Sequence, residues 1–183
     1  VLAPMKLDAC YNWANCKPGT AARAVVQYRG RVAAKDDNHG AAPACPVTPA
    51  RDGGCSLAAW RPGINGAIFS PQGGLRISAR GLARIGRMFL GEGRLDGARI
   101  LRPASVRILE TPLWTWDGHN GDVGGDISVA VPSAGATCGY GIAVMFTATG
   151  APGCRDDPFG DGRRRFGHSG DAYGLKSGLW IDR

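Results

Sequence analysis

The sequence predicts an α+β protein, with its helices ahead of its strands. Three stretches carry that expectation. "ISARGLARIGRMFLGEG", residues 77–93, has apolar residues at helical spacing between a capping Ser and two glycines. "CGYGIAVMFTATG", residues 138–150, is a mainly apolar run of strand character. "RRFGHSG" and "GLKSGLWID" lie either side of Ala172-Tyr173-Gly174 and read as strand, turn and strand.

From the start, residues 1–66 are mostly irregular. "VLAPMKLDACYNWANC" begins apolar and turns polar, and "AARAVVQYRGRVAA" reads as a strand with ragged alternation. "NHGAAPACPVTPARDGGC" is loop by composition, and its two cysteines are placed to staple it. The first helix is expected over 79–91. Ser78 is its N-cap, Leu82, Ile85, Phe89 and Leu90 face inward, and Arg80, Arg84 and Arg87 fall on the other face. "RLDGARIL" turns at Asp96-Gly97. Pro103 suits the first turn of a second helix, with Val106, Leu109 and Ile108 inward. "PLWTWDGHNGDVGGD" and "PGCRDDPFGDG" are loop and turn. Residues 138–183 are expected to form sheet, with 164–170 and 175–182 as antiparallel neighbours. The chain thus divides into a helical, loop-rich part (1–135) and the C-terminal strands (136–183). The last strand leaves an open neighbour position in such a sheet, and the sequence begins at Val1 rather than Met. Both features lead to the expectation of an excerpt truncated at both ends.

The totals fit a globular domain large enough for a core: 183 residues, 44% apolar and 20% charged. The 29 Gly and 12 Pro are dispersed, which argues for loops and against repeats. The +7 charge is mostly Arg, and Arg163–Arg165 is the one basic run. No zinc spacing, RNA-binding signature or basic helix accompanies it, so an Arg-rich solvated surface is preferred to a nucleic-acid partner. No apolar stretch reaches membrane-spanning length, and no signal peptide is visible. The six cysteines form three close pairs, Cys10/Cys16, Cys45/Cys55 and Cys138/Cys154, none with C-x-x-C spacing. Many pairings are open, and proximity favours the local three. Disulfides would place the protein in the periplasm or outside the cell.

Gly167-His168-Ser169-Gly170 invites comparison with the nucleophile elbow G-x-S-x-G and fails it, because the second Gly comes one residue too early. A triad from adjacent His168 and Ser169 is also poor, since successive strand side chains point to opposite faces. "DGHNGDVGGD" is rich in oxygen donors without the EF-hand order, so a solvated turn is preferred to a metal site there. His39, beside Asp36 and Asp37, earns no more. Trp114 and Trp116 could line a groove, although such a pair more often divides between core and surface.

Several blocks resemble the serine β-lactamase-related hydrolases, the family of class C β-lactamases, D-alanyl-D-alanine carboxypeptidases and related esterases. They are Gly73-Gly74, the Ser78-capped helix with Leu82-Ala83-Arg84-Ile85, Gly93 with Leu95-Asp96-Gly97, and Pro103. "VLAPMKLDA" is similar to the family's segment "PLGM-x-DT", and "FGHSGDAYGLKSGLWID" to its third motif, where His-x-Gly can replace Lys-Thr-Gly. The blocks keep the family's order across most of the chain. Gly81, where the family usually has Asp, and Arg102, where Ser or Thr often caps, are departures that bear on helix ends.

The resemblance implies a partial β-lactamase/penicillin-binding-protein-like fold, an antiparallel sheet with packed helices. It places His168-Ser169-Gly170 on the strand that walls the cleft. His168 would stand in for the third-motif Lys and steer a substrate carboxylate or the proton network. Ser169 would be a binding hydroxyl, Gly170 would allow close backbone approach, and the N–H of Asp171 would be one of two oxyanion donors. No cofactor and no metal are implied; the partner is a small-molecule or peptide substrate. The nucleophile motif Ser-x-x-Lys is absent: three residues before Lys6, Lys17, Lys35 and Lys176 stand Ala3, Ala14, Val32 and Tyr173. Tyr-x-Asn and Ser-x-Asn are absent too. The expectation is part of an acyl-serine hydrolase acting on a β-lactam, D-amino-acid peptide or ester, inactive by itself. A non-catalytic cell-wall-binding or interaction module of the same fold is the alternative.

Overall fold

A computed structural model gives the architecture for residues 1–11, 16–26, 28–33, 75–121, 123, 135–172 and 175–183. The chain divides into two compact units. One holds residues 1–82 and 170–176, the other residues 83–169 and 177–183.

In the first unit, β1 (Cys10–Tyr11) and Cys16 are tied by the expected Cys10–Cys16 disulfide. Met5 and Leu7 are buried just ahead of it. The run expected as one ragged strand is instead a tight hairpin, β2 (Tyr28–Arg29) against β3 (Val32–Ala33), because Gly30-Arg31 turns the chain between them. Then β4 (Leu75–Arg76) pairs antiparallel with β1, Cys10 opposite Arg76. The expected Cys45–Cys55 pair and Gly73-Gly74 lie outside the described residues.

Helix α1 (Ala79–Leu90) forms where the periodicity puts it. Ser78 caps it, its Oγ accepting from the Gly81 N–H at 3.0 Å. The inward face differs from expectation at one end. Met88 is 3% exposed whereas Leu90 is 49% exposed, so the buried stripe ends through Met88 and Phe89. The chain leaves the helix as Gly93 N–H donates to Met88 O, then returns as a hairpin of β5 (Arg94–Leu95) and β6 (Ala98–Arg99). Asp96 and Gly97 both have positive φ, the two-residue turn that matches the twist of paired strands and for which Asp-Gly is suited. Arg84, expected on the outer face with Arg87, reaches Asp96 at 2.8 Å, and Arg87 reaches it at 3.1 Å. The pair holds that carboxyl below its usual range, the hydrogen bond from Arg84 being the largest cause.

Helix α2 (Pro103–Leu109) starts with Pro and has no side-chain cap at Arg102, as its sequence implied. Val106 is fully buried, and Ile108, expected inward, is 53% exposed.

The remaining strands build one five-stranded sheet. They are β7 (Trp114–Thr115), β8 (Gly139–Tyr140), β9 (Met145–Phe146), β10 (Phe166–Ala172) and β11 (Leu175–Ile181), in the order β11-β10-β9-β8-β7. Pairs β7–β8, β8–β9 and β9–β10 are antiparallel. The link from β10 to β11 is too short for anything but an antiparallel return. Two expectations change. "PLWTW", read as loop, supplies β7. "CGYGIAVMFTATG", read as one strand, is split into β8 and β9, with Ala143 at positive φ in the turn. Phe146, Phe166 and Ile181 form a buried cluster on the sheet, and Phe89, Val144 and Leu179 pack against it. The Phe89 and Phe166 rings meet edge to face at 5.8 Å.

A long connection from β9 to β10 is tied down internally. The expected Cys138–Cys154 disulfide anchors it, and buried Asp156 accepts from Thr149 Oγ1 at 2.6 Å and from the Thr149 N–H. Asp157 accepts from the N–H groups of Phe159, Gly160 and Gly162.

Candidate functional site

All four residues singled out by sequence, His168, Ser169, Gly170 and Asp171, fall on β10. His168, Ser169 and Gly170 are exposed. Asp171 contributes backbone; its side chain is not among those described.

The strand is held from below. Gly167 lies opposite Met145, and Phe166 opposite Phe146. Phe166 is buried in the sheet cluster while His168, two residues on, is in water. The core thereby fixes the backbone that presents the imidazole.

His168 has a partner that the sequence did not flag. Tyr140, two strands away on β8, places its Oη 2.9 Å from His168 Nε2, and the two rings meet edge to face at 5.9 Å. The other ring nitrogen, Nδ1, is bonded to the backbone oxygen of Ser169. A carbonyl oxygen has no proton to give, so Nδ1 carries the hydrogen and donates it. In the neutral imidazole, Nε2 then keeps its lone pair and accepts from the Tyr140 hydroxyl. Tyr140 is fixed in turn. It pairs with Trp114 on one side and Met145 on the other, and its backbone oxygen accepts from the Leu113 N–H at 2.9 Å.

Ser169 is differently placed. Its Oγ–H donates to Met145 Sδ at 3.6 Å. Both nitrogens of the neighbouring imidazole are engaged elsewhere, so His168 does not serve Ser169 as a base. A Ser hydroxyl without a base is a weak nucleophile. The geometry therefore leaves Ser169 a surface hydroxyl and His168 one half of a Tyr–His pair.

The other candidates resolve locally. Asp117 Oδ1 accepts from the N–H groups of His119 and Asn120, making "DGHN" a turn. Trp114 and Trp116 are both half-buried, and Trp114 Nε1 donates to Asn120 O at 2.9 Å. His39, with Asp36 and Asp37, lies outside the described residues. Among the described residues no three His, Cys, Asp or Glu side chains gather as a metal site would require. Of the basic run, Arg163 pairs with Asp182, Arg165 pairs with Asp161 and Asp182, and Arg164 lies over the Phe146 ring at 5.3 Å. A shallow pocket of about 200 Å³ between Glu110, Phe146, Arg164 and Arg183 contains none of the four residues on β10.

Tyr140 was legible only as part of an apolar run. Its signal is the turn between β8 and β9, which a reading of 138–150 as one strand conceals.

No protein-family model, curated protein or solved structure matches the chain. The two disulfides among the described residues are compatible with a protein outside the reducing cytoplasm. No helix among the described residues is long and apolar enough to cross a membrane.

Proposed function

We propose that this chain is part of a serine hydrolase of the β-lactamase-related kind, acting through an acyl-serine intermediate. The nucleophile, a Ser one helical turn before a Lys, would lie outside this sequence. The substrate is a β-lactam, a D-amino-acid peptide or an ester, and the compartment is the periplasm or the cell exterior. Acyl-serine chemistry needs no cofactor and no metal.

The observation that carries the reading is the presentation of His168 and Ser169 on a core-backed strand, exposed, with the imidazole fixed by Tyr140 and by the Ser169 carbonyl. A wall of a polar cleft needs such held groups, because a donor that must first be oriented contributes little to a transition state. The order of the sequence blocks that precede this strand supports the same reading. In it, His168 positions the proton network through Tyr140, Ser169 offers a hydroxyl to substrate, and the N–H of Asp171 is a candidate oxyanion donor.

The test is turnover by the natural protein that contains this chain. Hydrolysis of a p-nitrophenyl ester or a chromogenic cephalosporin, abolished by replacing a Ser of a Ser-x-x-Lys motif, supports the reading. A natural protein with no Ser-x-x-Lys and no acyl-enzyme would leave a non-catalytic module.

A further inference from the structure

We propose that the Tyr140 hydroxyl is itself a reactive oxygen, with His168 as the base that takes its proton. The inference stands on geometry within one compact unit and does not rest on the acyl-serine reading.

An activated nucleophile is recognised by three features: a hydroxyl within hydrogen-bond reach of a base, a base turned by a third group, and access for a reactant. Tyr140 Oη to His168 Nε2 is 2.9 Å. Ser169 O accepts from Nδ1, which fixes the tautomer with the lone pair on the nitrogen facing the phenol. His168 is exposed and Tyr140 is half-buried, so the hydroxyl is anchored by its strand yet reachable from solvent. Ser169, whose Oγ donates to Met145 Sδ and which has no such base among the described residues, is the contrasting hydroxyl on the same surface.

The ligand class follows from the chemistry. A phenol oxygen whose proton has a place to go attacks an electrophilic acyl or sulfonyl centre. With an arylsulfonyl fluoride, the Oη–S bond forms and the S–F bond breaks. The proton passes from Oη to His168 Nε2, and fluoride leaves. Ser169 O holds the Nδ1–H of the resulting imidazolium.

The experiment uses the full 183-residue chain and an arylsulfonyl fluoride, with labelled tyrosines mapped by mass spectrometry. Tyr28, which is 48% exposed, is the internal reference. Labelling of Tyr140 is expected at least ten-fold faster than that of Tyr28 and to fall to the Tyr28 rate in His168→Ala. Because that variant could unfold, a second measurement uses the unaltered chain: the ¹⁵N spectrum of the neutral His168 ring is expected to place the proton on Nδ1. Tyr140 reacting no faster than Tyr28, labelling unchanged in a folded His168→Ala, or a proton on Nε2 would each overturn the proposal.

Discussion

The carbonyl oxygen of Leu179 occupies the space where a Cβ on residue 167 would sit. That contact brings β11 close against β10 one residue before His168, and only a residue without a side chain permits it. Gly167→Ala is therefore expected to push the strands apart and destabilise the fold by about 1–3 kcal/mol, as overpacking does. Denaturant unfolding measures it; an unchanged midpoint would mean that the backbone yields freely there.

The Asp161–Arg165 pair sets an acid limb on stability. The hydrogen bond from Arg165, the largest cause, holds the Asp161 carboxyl well below its ordinary value of 3.8. A carboxyl depressed by folding contributes stability above its unfolded value, and that contribution is lost as pH falls through the folded one. The window thus opens below 3.8. Asp161→Asn is expected to lower Tm modestly at neutral pH and to flatten the fall in Tm on acidification. Parallel Tm curves for the two proteins would remove the pair from the account.

The Cys138–Cys154 bridge closes a 16-residue separation over the β8–β9 hairpin that carries Tyr140. Its loss is expected to cost about 3 kcal/mol on the chain-entropy view. Peptide mapping without reductant should recover Cys10–Cys16 and Cys138–Cys154, with Cys45–Cys55 as the third pair; free thiols in protein made in an oxidising compartment would contradict it.

Local backbone chemistry is legible in the sequence. Ser78, Pro103 and Asp96-Gly97 mark backbone positions that few other residues suit, and the structure uses each as its chemistry dictates. Pairing across distance was not legible. Leu90 and Met88 both fit a helical stripe, and only the neighbouring elements decide that Met88 is buried. Tyr140 lies 28 residues before His168, so no local pattern links them. His168 and Ser169 stood out because Gly flanks them on both sides, but which ring nitrogen faces which partner depends on β8.

On the acyl-serine reading, His168 has a positioning role. In the natural protein, His168→Ala is expected to lower kcat/KM by tens-fold, or about 2 kcal/mol, with loss of one positioned polar group. A loss confined to kcat, with Tm unchanged, distinguishes that role from a merely structural one. An unchanged rate would reduce the His168–Ser169–Gly170 stretch to scaffold.

On the acyl-serine reading, Ser169 is not the nucleophile and this chain holds the wall of a site rather than its reactive serine. Covalent labelling of the purified 183-residue chain by a fluorescent penicillin tests it most directly. The Ser169 hydroxyl donates to a thioether and both nitrogens of the neighbouring imidazole are engaged elsewhere, so no label is expected on Ser169. Stoichiometric labelling that disappears in Ser169→Ala would contradict the account.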